Sequence, residues 1–364
     1  MANVVNQLNA VIQGAGSAGE VPVITSSLAV NLTAGDTLNY ELLADYGVGY
    51  EWTSLPSGVT TVDGNVRKLI GGSGLAAGTY NIGVKAINYY GEDSETLVLT
   101  VSNPPFSNTK SIEFASSEYL QADYSASGFS ALPFYRASNG AGAGDAWSMS
   151  MWFKAAAGTG NGQTMFYYGN SDTANQGYVW LTYQASNNEL RFRYGSNVNY
   201  VQLRTPNSSI TDGTWHHIMI TYDGGTTGSS SGDISNYYSR FEIFIDGVSQ
   251  TTTNTHSNFG WSSGVGTSSG GTNYLRIGNR IGSNYIQNNS RIDEIAFWDS
   301  DQTSNVTAIY NSGSASDLSA LGTPPNNWIR MGDGDTYPTI GDAEGDLSFT
   351  MTNMVAGNIV TDSP

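Results

Sequence analysis

"GTWHHIMITYDG", residues 213–224, decides how the chain folds. Between two glycine turn signals it alternates. His216, Ile218, Ile220 and Tyr222 fall on one side, and His217, Met219 and Thr221 on the other. Period two over this length predicts a β-strand. Two of the chain's three histidines stand side by side here. Neighbours in a strand point to opposite faces, so the two imidazoles are not expected to converge on one ion. A structural role at the strand entrance is expected for both.

The same pattern extends outward through residues 110–364. "AWSMSMWFKA" sets Trp147, Met149, Met151 and Phe153 against Ser148, Ser150, Trp152 and Lys154. "GYVWLTYQ", "ELRFRYG" and "YVQLRT" read as a meander ahead of the opening stretch. "RFEIFIDGVSQ", with a two-residue Asp246-Gly247 turn, then "NYLRIGNR" and "RIDEIAFWD" follow it. Strands at this density, without helices between them, predict a sandwich or jelly roll.

"SMSMWFKA", "GTWHHIMITYDG", "FEIFIDGV", "LRIGNR" and "IDEIAFWD" occur in an order that resembles the LamG-like, concanavalin A-like lectin/glucanase superfamily. The resemblance covers most of residues 110–364 and implies a jelly-roll fold. It does not imply one activity, because the fold hosts lectins, enzymes and structural modules. In many LamG-like domains a Trp-x-Phe-x-x-Gly element followed by Asp-x-x-Gly opens the domain. Here a similar element, Trp328 to Gly332 with Asp342-Ala-Glu-Gly345, comes last. A circular permutation is therefore expected, with residues 326–352 supplying strands to the sandwich begun at Ser111.

Residues 21–102 read as a smaller β-sandwich. "AGTYNIGVKAINYYG" places Tyr80, Ile82, Val84 and Ala86 on one face, and "ETLVLTV" does the same with Leu97, Leu99 and Val101. Trp52 is the expected plug between sheets. Short strands, an early tryptophan and a late tyrosine suit an immunoglobulin-like sandwich. The run from Gly78 to Asn88 resembles a strand of Ig- and cadherin-like modules in bacterial and phage surface proteins. Residues 103–109 carry Pro104-Pro105 and read as a stiff linker. The fold class expected is thus all-β: an Ig-like sandwich, then a larger concanavalin A-like jelly roll, with a short N-terminal arm at residues 1–20. Val4, Val5, Leu8, Val11 and Ile12 space a helical apolar stripe in that arm. A helix this short is marginal alone, so the stripe is expected to dock on a capsid subunit or on sister copies, with a trimer as the first expectation. A frayed terminus is the alternative.

Composition narrows the partners. Lys+Arg is 14 and Asp+Glu is 31, for a net charge of −17. Such a surface repels phosphate backbones and anionic membranes, so neither nucleic acid nor membrane is an expected partner. There is no cysteine, hence no disulfide and no thiolate metal site. No secretory signal is read at the start of the chain.

Catalytic patterns are missing. Glycosidases of the laminarinase type, which share this fold, use a carboxylate pair on one strand in a pattern like Glu-x-Asp-x-x-Glu, both acids reaching one bond. This chain has Asp293-Glu294, expected to point apart, and no acid at 296 or 297. No enzyme activity is expected. Asp333, Asp335 and Asp342 lie in a glycine-spaced acidic stretch. Solvated turn acids are preferred, with calcium as the alternative, since calcium sites are common in the resembling family. Tyr237, Tyr238, Phe259 and Trp261 lie in polar loops and are the candidate glycan- or partner-binding residues.

The function expected from these features is a phage virion structural protein on the virion surface, made in the host cytoplasm. It would be a head decoration (cement) protein or head fibre displaying a lectin-like domain to cell-surface glycans. Its partners would be the major capsid protein or other virion proteins. The stretch "MGDGDTYPTIGDAEG" with "TMTNM" and "VTDSP" resembles tails of structural proteins from marine phages. The alternatives are a tail fibre or receptor-binding protein and a bacterial surface adhesin or lectin.

Overall fold

A computed structural model gives the fold. It describes residues 19–122, 132–133, 146–157, 161–169, 178–195, 200–224, 238–257, 274–281, 284–286 and 289–364. The chain divides into two compact units, residues 1–105 and 106–364. The arm stripe, Val4, Val5, Leu8, Val11 and Ile12, lies outside the described residues.

The first unit is built from β1 (Val23–Ile24), β2 (Ala29–Thr33), β3 (Leu38–Glu41), β4 (Ala44–Asp45), β5 (Gly49–Thr53), β6 (Val59–Val62), β7 (Asn65–Gly71), β8 (Gly78–Asn88) and β9 (Gly91–Ser102). One sheet runs β2-β9-β8-β5, with β2 parallel to β9, and a second runs β3-β7-β6. The period-two residues Ile82, Val84, Leu97, Leu99 and Val101 are buried with Leu38, Tyr40 and Leu69. Each such side chain taken out of water contributes roughly 1.5–3 kcal/mol. Trp52 is half-buried. Its ring meets Tyr40 edge-on at 6.2 Å, and its Nε1 donates to the Val66 carbonyl. Tyr80 is also half-buried, and its hydroxyl donates to the Ala76 carbonyl at 2.9 Å.

The second unit contains β10 (Ser111–Phe114), β11 (Tyr119–Ala122), β12 (Trp147–Lys154), β13 (Asn161–Gly169), β14 (Tyr178–Gln184), β15 (Glu189–Gly195), β16 (Tyr200–Arg204), β17 (Trp215–Tyr222), β18 (Phe241–Ile245), β19 (Val248–Ser249) and β20 (Thr253–Ser257). After these come β21 (Tyr274–Ile277), β22 (Ser290–Trp298), α1 (Val306–Tyr310), β23 (Asn327–Ile329), β24 (Thr339–Gly341), β25 (Ser348–Thr352) and β26 (Ile359–Val360). One sheet runs β19-β18-β17-β12-β22-β10-β26, with β23 also pairing β22. The other runs β20-β16-β15-β14-β13-β21-β11-β25-β24. Between them lies a large core, centred on rings such as Trp147, Phe192, Tyr222 and Phe241. Residues 327–352 thus feed both sheets: β23 joins the first, and β24 and β25 join the second beside β11.

The two sheets differ on their outer faces, and that difference positions the site. The first sheet is buried on both sides over its central strands. Met219, Phe244, Ala296 and Trp298 on its outer face form a second cluster with Val306 and Ile309 of α1, Leu318 and Trp328. Apolar capping of this kind leaves no room for a solvated ligand. The second sheet carries polar and aromatic side chains on its outer face.

The ends of this unit meet. Ser111 pairs with Val360 and Ile112 with Ile359. Lys154 and Arg291 both reach the Asp362 carboxylate, and the Ser363 hydroxyl donates to the Asn108 carbonyl. Half of the expected linker is fixed to the unit as well. Phe106 stacks on Trp328 with ring centroids 5.9 Å apart, Asn108 donates to Asp293, and Thr109 donates to Asp333 through its N–H and its hydroxyl.

Candidate functional site

The paired histidines do lie on opposite faces. His216 is on the core side, where its Nδ1 pairs with an Asp246 carboxylate oxygen at 2.7 Å and its Nε2 accepts from the Thr211 N–H. Both ring nitrogens are therefore occupied. Asp246 and Gly247 both have positive φ, 52° and 76°, as the tight hairpin turn requires. Burial works against the Asp246 carboxylate. Hydrogen bonds from His216 and from the His217 N–H nevertheless hold its pKa below the usual range. His217 faces the outer cluster against Trp152 and Tyr310, and burial pushes its pKa down to about 4.

Asp293 and Glu294 correct the sequence expectation. They do not point apart. Ser150 pairs with Ala296 and Trp152 with Asp293, so the single residue Met151 faces both Glu294 and Ile295. This is a β-bulge, and Glu294 adopts a left-handed φ of 47° to make it. The inserted residue restores Ile295 to the core beside Ile292, and turns both carboxylates to the outer face. There Asp293 accepts from Asn108, and Glu294 accepts from the Trp328 Nε1 and pairs with Arg330. Burial, and next the Glu294 charge, raise the Asp293 pKa well above the usual range. Burial pushes Glu294 up to about 7 against the Arg330 charge.

Shared orientation does not make them a catalytic pair. Asp293 is 0% exposed and Glu294 3%. The cavity beside Glu294, lined by Ser150, Trp152, His217, Ile309, Ser316 and Leu318, measures about 10 Å³. A ligand site needs roughly 300 Å³ or more.

The acidic stretch is spent on hydrogen bonds. Asp342 accepts from Asn327 Nδ2 and from the N–H groups of Trp328, Glu344 and Gly345. A Cβ on Gly345 would sit 2.6 Å from Asp342 and 2.4 Å from Asn327, which accounts for glycine at that position. Asp335 accepts from the Gly332 and Gly341 N–H groups, and Asp333 holds Thr109 and the Lys110 N–H. Among the described residues, no group of three or more histidine or acidic side chains is arranged to hold a metal ion. The three acids thus act as local staples. Of the candidate binding aromatics, Tyr237, Phe259 and Trp261 lie outside the described residues. Tyr238 is half-buried against the main core, and burial raises its pKa to about 12.

The outer face of the second sheet carries the stronger candidate. One cross-strand row there reads Thr350, Gln121, Arg276, Tyr167, Trp180, Arg193, Gln202 and Thr255, each paired with the next across seven strand boundaries. Each belongs to the phase opposite a core residue: Trp180 lies between Val179 and Leu181, and Arg193 between Phe192 and Tyr194. The Arg193 guanidinium lies 4.1 Å from the Tyr200 ring centre and 5.5 Å from Trp180. The Arg280 guanidinium lies 4.1 Å from Trp180, and that of Arg276 lies 4.6 Å from Tyr119 and 4.9 Å from Tyr274. Trp180 Nε1 donates to Thr164, and burial raises the pKa of Tyr178, so that phenol stays protonated at neutral pH. Tyr167 and Tyr178 are themselves buried beneath this layer, so what the face offers chemically is the half-buried Trp180 with amides and guanidinium forks. Among the described residues it contains no acid–base pair and no nucleophile next to a base.

Residues 134–305 match the family Laminin_G_3, the concanavalin A-like lectin/glucanases superfamily. The match contains β12 to β22, and hence Tyr167, Trp180, Arg193 and Arg276. No curated protein matches the chain. Among solved structures, the Ruminococcus gnavus IT-sialidase CBM40 bound to α2,3-sialyllactose is 12% identical with a TM-score of 0.33, over 56% of this chain and 98% of that one. The binding domain of botulinum neurotoxin DC in complex with SialylT is 15% identical with a TM-score of 0.30, over 46% of this chain and 36% of that one. A candidate α-galactosidase/melibiase of Bacteroides fragilis is 20% identical with a TM-score of 0.21, over 22% of this chain and 18% of that one. The chain thus spans about a fifth of the galactosidase and about a third of the neurotoxin domain.

The platform escapes a search for loop aromatics because its side chains lie within strands. A local signal exists nonetheless. In "ELRFRYG" and "YVWLTYQ" the outward phase carries Arg191, Arg193, Tyr178 and Trp180, where a solvated sheet would show serine and threonine.

Proposed function

We propose that this protein is a non-enzymatic carbohydrate-binding display protein, and that its concanavalin A-like unit holds glycans on the outer face of the second sheet. Trp180, Arg193, Gln202 and Arg276, the partly exposed members of the row, carry this proposal: an aromatic ring beside amides and guanidinium groups is what sugar hydroxyls and ring faces use. Trp180→Ala is expected to weaken binding on a glycan array by about tenfold, equivalent to ~1.4 kcal/mol. Unchanged binding by a folded Trp180→Ala protein would refute the assignment of the face. The buried acids support the non-enzymatic part. Incubation with β-glucans is expected to release no reducing ends, and release abolished by Glu294→Gln would reverse that conclusion.

We further propose a virion surface setting, with the protein made in the host cytoplasm as a head decoration protein or fibre, and a tail fibre as the alternative. The −17 charge, the absence of cysteine and the pairing of two β-sandwich units support it. The first unit supports the Ig-like assignment through its sheets, β3-β7-β6 against β2-β9-β8-β5, and the Tyr80 hydroxyl bond to Ala76 at the start of a late strand. The protein content of purified virions tests the setting. A high copy number indicates the head, a low one the tail, and absence from virions excludes both. Residues 1–20 are the proposed attachment to capsid or sister subunits, with a trimer as the expected oligomer. Deleting residues 2–19 should abolish incorporation without changing the melting temperature.

A further inference from the structure

Charge is distributed unevenly among the arginines. Of ten, five lie on the outer face of the second sheet: Arg191, Arg193, Arg204, Arg276 and Arg280. Four described arginines lie elsewhere, and each has a carboxylate partner: Arg67 with Glu41, Arg240 with Asp223, Arg291 with Glu113, and Arg330 with Glu294. A chain with 31 acids supplies such partners readily. On the sheet face, Glu189 pairs with Arg191 and Arg204. Arg193 and Arg276 break the pattern, since every described hydrogen-bond partner of theirs is neutral. Arg193 donates to Gln202 through Nε and Nη2 and to the Tyr178 hydroxyl through Nη1. Arg276 donates to Gln121 through Nε and to Asn279 through Nη1.

Neutral partners orient a guanidinium without cancelling its charge. Tyr200 under Arg193 and the pair Tyr119 and Tyr274 beside Arg276 fix the planes further. N–H donors remain on the Nη atoms of both, in the planar fork that a carboxylate fits. The two arginines stand three strand spacings apart along the row, roughly 14 Å. No single sugar spans that distance.

We propose that the ligand of this face is an acidic polysaccharide whose repeated carboxylates are held by Arg193 and Arg276. The proposal rests on the assignment of the face as the carbohydrate site. It names the class of glycan and the two residues that select it.

The test uses the full chain and four probes: polygalacturonate, its fully methyl-esterified form, dextran sulfate and laminarin. Polygalacturonate is expected to bind at least tenfold more tightly than its ester, which keeps the backbone and removes the charge. Arg193→Gln and Arg276→Gln should each lose about tenfold for polygalacturonate. The control Arg67→Gln, in the first unit, should lose nothing. If a glutamine variant melts early, Arg193→Lys and Arg276→Lys take its place. They keep the charge but not the fork, and should lose affinity for polygalacturonate while melting normally. Equal binding of acid and ester, or full binding by folded variants, overturns the proposal. Tighter binding of dextran sulfate overturns the carboxylate assignment. If only laminarin binds, and Trp180→Ala abolishes it, the face remains a carbohydrate site and the acidic ligand is wrong. If no probe binds, both fail.

Discussion

Glu294→Gln and His217→Gln are expected to tilt the pH dependence of stability in opposite directions. Burial pushes the Glu294 pKa up from 4.5 to about 7. A raised acid stabilises the fold fully below its unfolded pKa and loses that contribution as pH rises through the folded one. Wild type should therefore lose stability relative to Glu294→Gln between roughly pH 4.5 and 7.5. Burial pushes the His217 pKa down from 6.5 to about 4. A depressed histidine contributes stability above its unfolded pKa and loses it as pH falls through the folded one. Wild type should accordingly gain about 3 kcal/mol relative to His217→Gln as pH rises from roughly 4 to 7. Both side chains are almost completely buried, so solvent screens neither effect. Urea unfolding across this range gives the two difference curves. Parallel curves would show that the buried groups do not titrate as the geometry requires.

Asp342→Ala should be as damaging, for a different reason. One carboxylate collects four N–H donors from Asn327, Trp328, Glu344 and Gly345, and thereby holds β23 and the turn after β24 in place. Removing it strands several donors at once, at a cost of about 3 kcal/mol. For a unit of this size the melting temperature should fall by roughly 6–12 °C. EDTA should leave the wild-type melting temperature unchanged. A drop in EDTA matching that of the variant would mean that Asp342 serves a metal and not the backbone.

Much of the fold was legible because strand alternation is local. "GTWHHIMITYDG" and "ETLVLTV" declare their faces without knowledge of their neighbours. That the C-terminal strands join both sheets was legible from Trp328 and Asp342, which sit in a recognisable spacing. The direction of Glu294 was not, because alternation was assumed to hold through residue 294. The clue was present: the apolar residues Ile292, Ile295 and Phe297 are spaced three and then two apart, and a break in period two marks a bulge. The outer-face row was illegible for another reason. Arg276, Tyr167, Trp180 and Arg193 come from four strands, and the order β21-β13-β14-β15 is set by long-range pairing. No window of sequence contains that order. Composition shows acids but not their partners. At Asp342 the partners are three backbone N–H groups and the Asn327 side-chain amide.

The meeting of the ends of the second unit has a mechanical consequence. Tension entering at residue 106 and leaving at residue 364 acts across the antiparallel pair β10 and β26, whose outer ends lie side by side. Such a load peels backbone bonds one after another and does not shear them together. The ion pairs of Asp362 with Lys154 and Arg291 stand at the point where peeling begins. Under force they act as a clasp on an edge that would otherwise open like a zip.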